Sequence, residues 1–193
     1  MKWKRWEIAL GIALSVGILC AVPLQAQQQL AEKITRLHVP ANSDAEYDQQ
    51  LKLKVRDAVL QIAAVENKPD EHVLAEMKLA AERVVAQEGY DYDVTVSRSA
   101  YYFDTREYET LSLPAGVYDS VRVVIGAGEG KNWWCVVYPQ LCAGMCEEEL
   151  KEIAQEAGLT KKEIFLICEE KGYIIRFKLA DFWGKILHQI AAF

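Results

Sequence analysis

His38, Ser43 and Cys135 are the residues whose types could support nucleophilic catalysis. A histidine can take the proton of a serine hydroxyl or a cysteine thiol, which then attacks an electrophilic carbon. A serine of this kind usually stands in a Gly-x-Ser-x-Gly turn that exposes its hydroxyl at the end of a strand. The sequence has no such turn. A hydrolase that uses His38 with Cys135 or Ser43 is therefore an alternative hypothesis, and the leading expectation is a protein without catalytic residues.

A glycine-rich loop at residues 126–132 is the next candidate, because the backbone amides of such loops can surround a phosphate. In the P-loop pattern a glycine stands five residues before a Gly-Lys pair, and a serine or threonine follows the lysine. Here Ile125 stands at the first glycine position and Asn132 replaces the hydroxyl residue. Lys131 occupies the third glycine position of the dinucleotide-binding pattern. We therefore predict a flexible hairpin loop between two strands.

Metal ions and other cofactors are not expected. The histidines His38, His72 and His188 lack the paired spacing that a histidine metal site usually has. Carboxylates crowd two predicted helix starts, at residues 44–48 and 147–149. Negative charge is favourable there because it interacts with the helix dipole. These groups indicate helix starts and not a calcium site or an acid–base pair.

Adjacent tryptophans, Trp133 and Trp134, lie on a predicted strand and must point to opposite faces of a sheet. One ring can enter the core, and the other either lies under a helix or is exposed. An exposed ring beside the glycine-rich loop would be an anchor for a partner protein. Lys131 and Asn132 come directly before these rings. We predict that the four residues form a partner-binding segment, with burial of both rings as the alternative.

Four cysteines follow the apolar N-terminal stretch: Cys135, Cys142, Cys146 and Cys168. Their spacing does not match the Cys-x2-Cys pairs that are typical of zinc sites. We favour one disulfide, Cys135–Cys142, over a metal site. The alternative is that all four thiols are free.

Hydrophobic periodicity predicts the elements that position these residues. Strands are predicted at Ile34–Val39, Tyr90–Ser97, Tyr118–Ile125 and Trp133–Tyr138, and a hairpin joins Ile164–Cys168 to Tyr173–Lys178. Helices are predicted from the capping box Ser43–Glu46 to Ala64, from Pro69 to Gly89, over Glu147–Ala157 and over Phe182–Ile190. We expect residues 30–193 to form a single compact domain of the mixed α/β class. It would contain about six strands, with helices packed on the sheet.

Residues 1–29 precede this domain and have the pattern of an export signal. Basic Lys2, Lys4 and Arg5 come before the apolar run Ile8–Val22, which is shorter than the ~20 residues of a membrane-spanning helix. We expect a signal peptide or a retained N-terminal membrane anchor. The chain carries a formal net charge of −6, which argues against binding to nucleic acid or to an anionic membrane surface.

Two blocks of this sequence resemble the stage II sporulation protein R family. The first block is Arg36-Leu37-His38-Val39-Pro40-Ala41-Asn42-Ser43-Asp44, followed by similar residues up to Val59. The second block runs from Pro114 to Cys142 and contains Gly128-Glu129-Gly130-Lys131-Asn132-Trp133-Trp134-Cys135. Together with the export segment, the resemblance covers most of the chain before Cys142.

The resemblance implies an exported signalling protein made in the forespore of an endospore-forming bacterium. In the space between the two membranes, such a protein triggers a membrane-bound aspartic protease of the mother cell. The protease then cleaves the sigma-E precursor, so the resemblance implies a ligand without activity of its own.

Under this hypothesis we expect partner contacts at two places. The first comprises Lys131, Asn132, Trp133 and Trp134, and the second comprises Arg36, His38, Asn42 and Asp44. An exported hydrolase and a cell-wall-binding module remain the alternatives.

Overall fold

The computed structural model describes residues 27–65, 69–108, 110–141 and 146–168. Most of the predicted export segment lies outside these ranges, as do Cys142, the predicted strand Tyr173–Lys178 and the predicted C-terminal helix. No helix within the four ranges combines the length and the apolar composition that crossing a membrane would require.

The described chain contains both helices and strands, which confirms the mixed α/β class. The helices are α1 (residues 27–33), α2 (Glu46–Val65), α3 (Glu71–Gln87), α4 (Glu147–Glu156) and α5 (Lys161–Cys168). The strands are β1 (Thr35–Pro40), β2 (Val94–Phe103), β3 (Arg106–Glu107), β4 (Ser112–Leu113), β5 (Gly116–Ile125) and β6 (Asn132–Tyr138).

Four strands form the main sheet in the order β2-β5-β1-β6. Strand β1 runs parallel to β5 and antiparallel to β6, while β2 pairs antiparallel with β5. The two edge strands are therefore β2 and β6. A separate two-stranded sheet is formed by β3 and β4.

The first face of the main sheet is covered by α2 and α3. Alternation along β1 sends Leu37 and Val39 to this face, where both are fully buried. Helix α2 meets them with a buried stripe that includes Leu51, Val55 and Val59. Burial of one aliphatic side chain of this size contributes about 1.5–3 kcal/mol, so the stripe fixes α2 on the sheet.

Helix α3 begins and ends where the sequence predicts. The Asp70 carboxylate accepts a hydrogen bond from Val73 N at 2.9 Å, which satisfies one of the free amides at the start of the helix. Gly89 follows the helix with a φ of +81°. Glycine adopts this left-handed conformation without strain.

The second face of the main sheet is covered by helices from both ends of the described chain. Leu30 of α1, Leu150 of α4 and Ile167 of α5 pack there against Tyr118 and Val136. Because helices cover both faces, every residue of β1 is buried.

The predicted strand Ile164–Cys168 is wrong, because these residues belong to α5. Thr160 N donates to Glu163 Oε2 at 2.6 Å, and Glu163 N donates back to Thr160 Oγ1 at 3.3 Å. This reciprocal pair is a capping box, which starts a helix. Strand β2 also begins later and extends further than the predicted strand Tyr90–Ser97.

Candidate functional site at the glycine-loop corner

The glycine-rich loop is not a hairpin loop, because β1 lies between the two strands that it joins. Parallel pairing places the ends of β1 and β5 side by side, and β6 begins opposite Pro40. The loop must therefore pass over the end of β1 to reach β6. It meets the segment Ala41–Asp44, which leads into α2. We call residues 126–131, this segment and the first turn of α2 the glycine-loop corner.

Backbone amides of the loop are hydrogen-bonded to the segment that leads into α2. The donors and acceptors are Ala127 N to Asn42 Oδ1 (3.0 Å), Glu129 N to Asn42 O (3.2 Å), Gly130 N to Ala41 O (2.9 Å) and Lys131 N to Asp44 Oδ1 (2.7 Å). These amides bind the protein's own carbonyl and carboxylate oxygens. The loop is thus fixed in one conformation, and the amides that a phosphate would need are already used.

Two glycines let the loop approach this segment. A Cβ atom at Gly130 would lie 2.2 Å from the backbone oxygen of Ser43, and one at Gly126 would lie 2.3 Å from Asn42 Oδ1. Gly126 also has a φ of +56°, where side chains are disfavoured. The glycines therefore have a structural role in the corner.

Asp48 holds the other side of the segment and is 1% exposed. Its Oδ2 accepts hydrogen bonds from Asn42 Nδ2 at 2.9 Å and from Ser43 Oγ at 2.6 Å. Burial alone would raise the pKa of Asp48, but the bonds from Ser43 and Asn42 outweigh it and hold the pKa below its ordinary value. The predicted capping box is therefore altered, since Ser43 Oγ accepts from Ala45 N at 3.1 Å and does not bond Glu46.

Lys52 joins α2 to the start of β6. Its Nζ donates to Lys131 O at 3.0 Å and to Gln49 Oε1 at 2.6 Å. Burial lowers the pKa of Lys52. Asp48 and Lys52 continue the buried stripe of α2 toward its start, and this helical spacing of polar residues is the sequence signal that would have identified them.

Lys131 and Asn132 are exposed at the start of edge strand β6. The two tryptophans that follow are half-buried on opposite faces of the sheet, as predicted. The Trp133 ring lies 5.0 Å from the Arg56 guanidinium, beside the first-face core. The Trp134 ring is stacked on His38 with centroids 4.0 Å apart. The two rings are therefore neither fully exposed anchors nor fully buried core residues.

The second predicted contact patch is divided between two places. Asn42 and Asp44 lie in the glycine-loop corner, where both hold the loop. Arg36 and His38 lie inside the protein on the second face, with exposures of 0% and 2%. Burial lowers the pKa of His38 to about 4, so its ring is neutral at neutral pH.

The predicted nucleophile–histidine pairs are not assembled. Cys135 pairs in register with Leu37 and faces the first core, whereas His38 points to the second face. The Ser43 hydroxyl donates a hydrogen bond to Asp48 and not to a histidine. In the ranges that the structure describes, no cluster of histidine, cysteine and acidic side chains could hold a metal ion. Cys146 and Cys168 are free thiols.

Comparison with known proteins gives a family match over much of the described chain. The family model of stage II sporulation protein R matches residues 31–148. A curated relative, "Stage II sporulation protein R" of Bacillus subtilis (strain 168), is 34% identical over 123 residues, which are 58% of this chain and 55% of that protein. The chain thus spans about half the length of that relative. No solved structure matches the chain.

The fold and the corner define a mixed α/β domain in which a fixed loop presents the start of an edge strand. The chain belongs to the stage II sporulation protein R family.

Proposed function

We propose that this protein is an exported signalling protein of sporulation that activates a membrane-bound aspartic protease and has no catalytic activity itself. The protease would then process the sigma-E precursor. The observation that carries the proposal is the family match over residues 31–148, together with a relative named for sporulation. The separation of His38 from Cys135 by the sheet supports a role in binding.

The glycine-loop corner is the contact surface that the geometry favours. Lys131 and Asn132 are exposed there on a loop that is hydrogen-bonded at both ends. Tyr47 of α2 is 55% exposed and stacks on Tyr90, with ring centroids 6.3 Å apart. Exposed aromatic and cationic groups on a rigid support can bind a partner with little loss of conformational entropy.

Activation would follow from differential affinity. A ligand shifts a receptor toward its active form only if it binds that form more tightly. The corner would therefore contact the active form of the protease, and residues 1–29 would deliver the domain to the space outside the forespore membrane.

We also propose that Cys135 pairs with Cys142 after export. Support comes from Cys135 itself, whose sulfur is engaged in a disulfide. Cys146 and Cys168 are free. A disulfide fits an exported protein, because the cytoplasm keeps thiols reduced.

Co-expression in a bacterium that does not sporulate tests the proposal. The host would produce the protease, the sigma-E precursor and this protein, and cleavage of the precursor would be followed on gels. Cleavage should require this protein. Lys131→Ala should lower it by at least about tenfold, equivalent to about 1.4 kcal/mol of binding. Lys78→Ala on α3, where the lysine side chain is 50% exposed, is the matched control and should leave cleavage unchanged.

Two results would contradict the proposal. Precursor cleavage that proceeds equally without this protein would remove the activator role. Co-sedimentation of the exported protein with peptidoglycan, together with that result, would favour a cell-wall-binding module. His38→Phe should retain cleavage, whereas a complete loss with the variant properly folded would favour the hydrolase alternative.

A further inference from the structure

A group of polar side chains lies together on the second face of the sheet, outside the glycine-loop corner. Arg36 of β1 is paired in register with Ser120 of β5, and His38 is paired with Arg122. Residues opposite each other on neighbouring strands project to the same face. Arg36, Ser120 and Arg122 form what we call the second-face cluster, and His38 lies beside them.

Several atoms of the second-face cluster are buried without a hydrogen-bond partner among the described residues. They are Arg36 Nε, Arg36 Nη1, Ser120 Oγ and Arg122 Nε. Arg36 is 0% exposed and Ser120 is 2% exposed. Arg36 Nη2 donates to the Tyr108 hydroxyl at 3.3 Å, which is a neutral acceptor.

No carboxylate neutralises this cluster within the part of the chain that the structure describes. The ion pairs formed there include neither Arg36 nor Arg122. Burial lowers the pKa of Arg36, while the hydroxyl groups of Tyr108 and Tyr118 raise it and the nearby cation Arg106 lowers it. A buried and unpaired guanidinium is unfavourable unless an anion compensates it.

Aromatic rings surround these donors. The Arg36 guanidinium carbon lies 3.9 Å from the centre of the Phe103 ring. Trp134 stacks on His38, and the Arg106 guanidinium lies 5.2 Å from the Trp134 ring. Tyr101 on edge strand β2 is 43% exposed beside them. Buried arginine within an aromatic rim is the composition typical of a binding hot spot.

We propose that the second-face cluster binds a carboxylate group from an acidic side chain of the protein partner. Arg36, Arg122 and Ser120 would donate to the carboxylate oxygens, and Tyr101 and Trp134 would line the entrance. A single planar carboxylate can accept hydrogen bonds from these few donors and fit between the planar aromatic rings. A free polyanion would be repelled by a chain of net charge −6. The assignment of the carboxylate to the partner rests on the proposed function.

Binding to the purified full-length protein tests the carboxylate site without the protease. The probes are an acetyl-Gly-Asp-Gly-amide peptide and its Asn counterpart, titrated at constant ionic strength. The arginine Nε–H signals would be followed by NMR. The Asp peptide should shift the Arg36 and Arg122 signals to saturation, and the Asn peptide should not. Arg122→Gln should weaken binding at least tenfold, while Arg83→Gln on the exposed side of α3 should not change it.

A second variant protects the test against misfolding. Arg36→Met replaces an uncompensated buried charge by an apolar side chain of similar length, so it should abolish binding and raise the melting temperature. A lowered melting temperature, combined with no response of the wild type to the Asp peptide, would mean that the guanidinium is already compensated within the chain. That result would overturn the inference.

The co-expression assay then identifies the source of the carboxylate. Arg122→Gln should lower precursor cleavage at least tenfold if the partner supplies it. If the wild type binds the Asp peptide but Arg122→Gln leaves precursor cleavage unchanged, the partner does not supply the carboxylate. That result would overturn the assignment to the partner in favour of a free small carboxylate. Absent peptide binding, with cleavage still dependent on this protein, would refute the carboxylate site and leave the proposed function standing.

Discussion

Asp48 and Arg36 are both buried charges, but their surroundings differ. Asp48 accepts hydrogen bonds from Asn42 and Ser43, and these bonds hold its pKa below the ordinary value against the effect of burial. Arg36 has aromatic rings and a tyrosine hydroxyl around it. The first charge therefore stabilises the corner, whereas the second lacks an anion among the described residues. This contrast is the reason for assigning a structural role to Asp48 and a binding role to Arg36.

His38 should make the stability of the protein depend on pH. Its pKa is about 4 in the folded protein and 6.5 in a model peptide. As the pH falls between these values, the unfolded chain gains a proton that the folded chain does not take up. The free energy of unfolding should therefore decrease over this window, by at most about 3 kcal/mol. Above this window His38 should add no pH dependence.

Urea unfolding at a series of pH values measures this effect. His38→Phe keeps an aromatic ring against Trp134 but cannot titrate, so this part of the pH dependence should disappear. His72→Gln is the control, because the His72 side chain is 77% exposed, and it should behave as the wild type. An unchanged pH dependence in His38→Phe would refute the assignment.

The burial of Arg36 and His38 could not be predicted from local sequence. Alternation places them correctly on one face of β1, but it does not say what covers that face. The cover comes from α4 and α5, which are distant from β1 along the chain, and from α1, which directly precedes β1. By contrast, the exposure of Lys131 and Asn132 follows from their place in a loop and at a strand start, and it was predictable.

At the scale of elements, the glycine-loop corner joins β5, β1, α2 and β6. The loop crosses the end of β1, so its shape depends on a strand that lies much earlier in the sequence. The predicted strands β1, β5 and β6 are confirmed. They could be predicted because the alternation of apolar residues along a strand is visible in the local sequence. Their order in the sheet is long-range information, so local sequence predicts a hairpin loop where the chain in fact crosses β1.

Gly130→Ala should destabilise the protein because the new Cβ would lie 2.2 Å from the Ser43 backbone oxygen. We expect a loss of about 3 kcal/mol, at the upper end for overpacking, together with reduced activation of the protease. Gly89→Ala is the matched comparison. Its φ of +81° is strained for alanine, but nothing lies within 4 Å of the added Cβ, so the loss should be about 1 kcal/mol.

Chemical denaturation of both variants measures the difference, and the co-expression assay measures activation. Equal losses of stability would show that the loop can move away from Ser43. In that case the corner would not be the rigid support on which the proposed contact surface depends.

At the scale of the whole molecule, one sheet separates two hydrophobic cores. Met77 of α3 is fully buried in the first-face core, and Leu150 of α4 is fully buried in the second-face core. Strand β1 is buried by both, since Leu37 faces one core and Arg36 the other. Loss of either core should therefore expose the central strand and unfold the other core as well.

Met77→Ala and Leu150→Ala test this coupling. Each removes a buried side chain of similar size, and each should lower the free energy of unfolding by about 2–5 kcal/mol. Both variants should unfold in a single transition, with coincident circular dichroism and tryptophan fluorescence. Leu79→Ala is the control, because Leu79 on α3 is 60% exposed and its loss should change stability by less than about 0.5 kcal/mol. Two separate transitions in Leu150→Ala would mean that α4 and α5 form an independent unit, and a partner could then displace them from the second-face cluster.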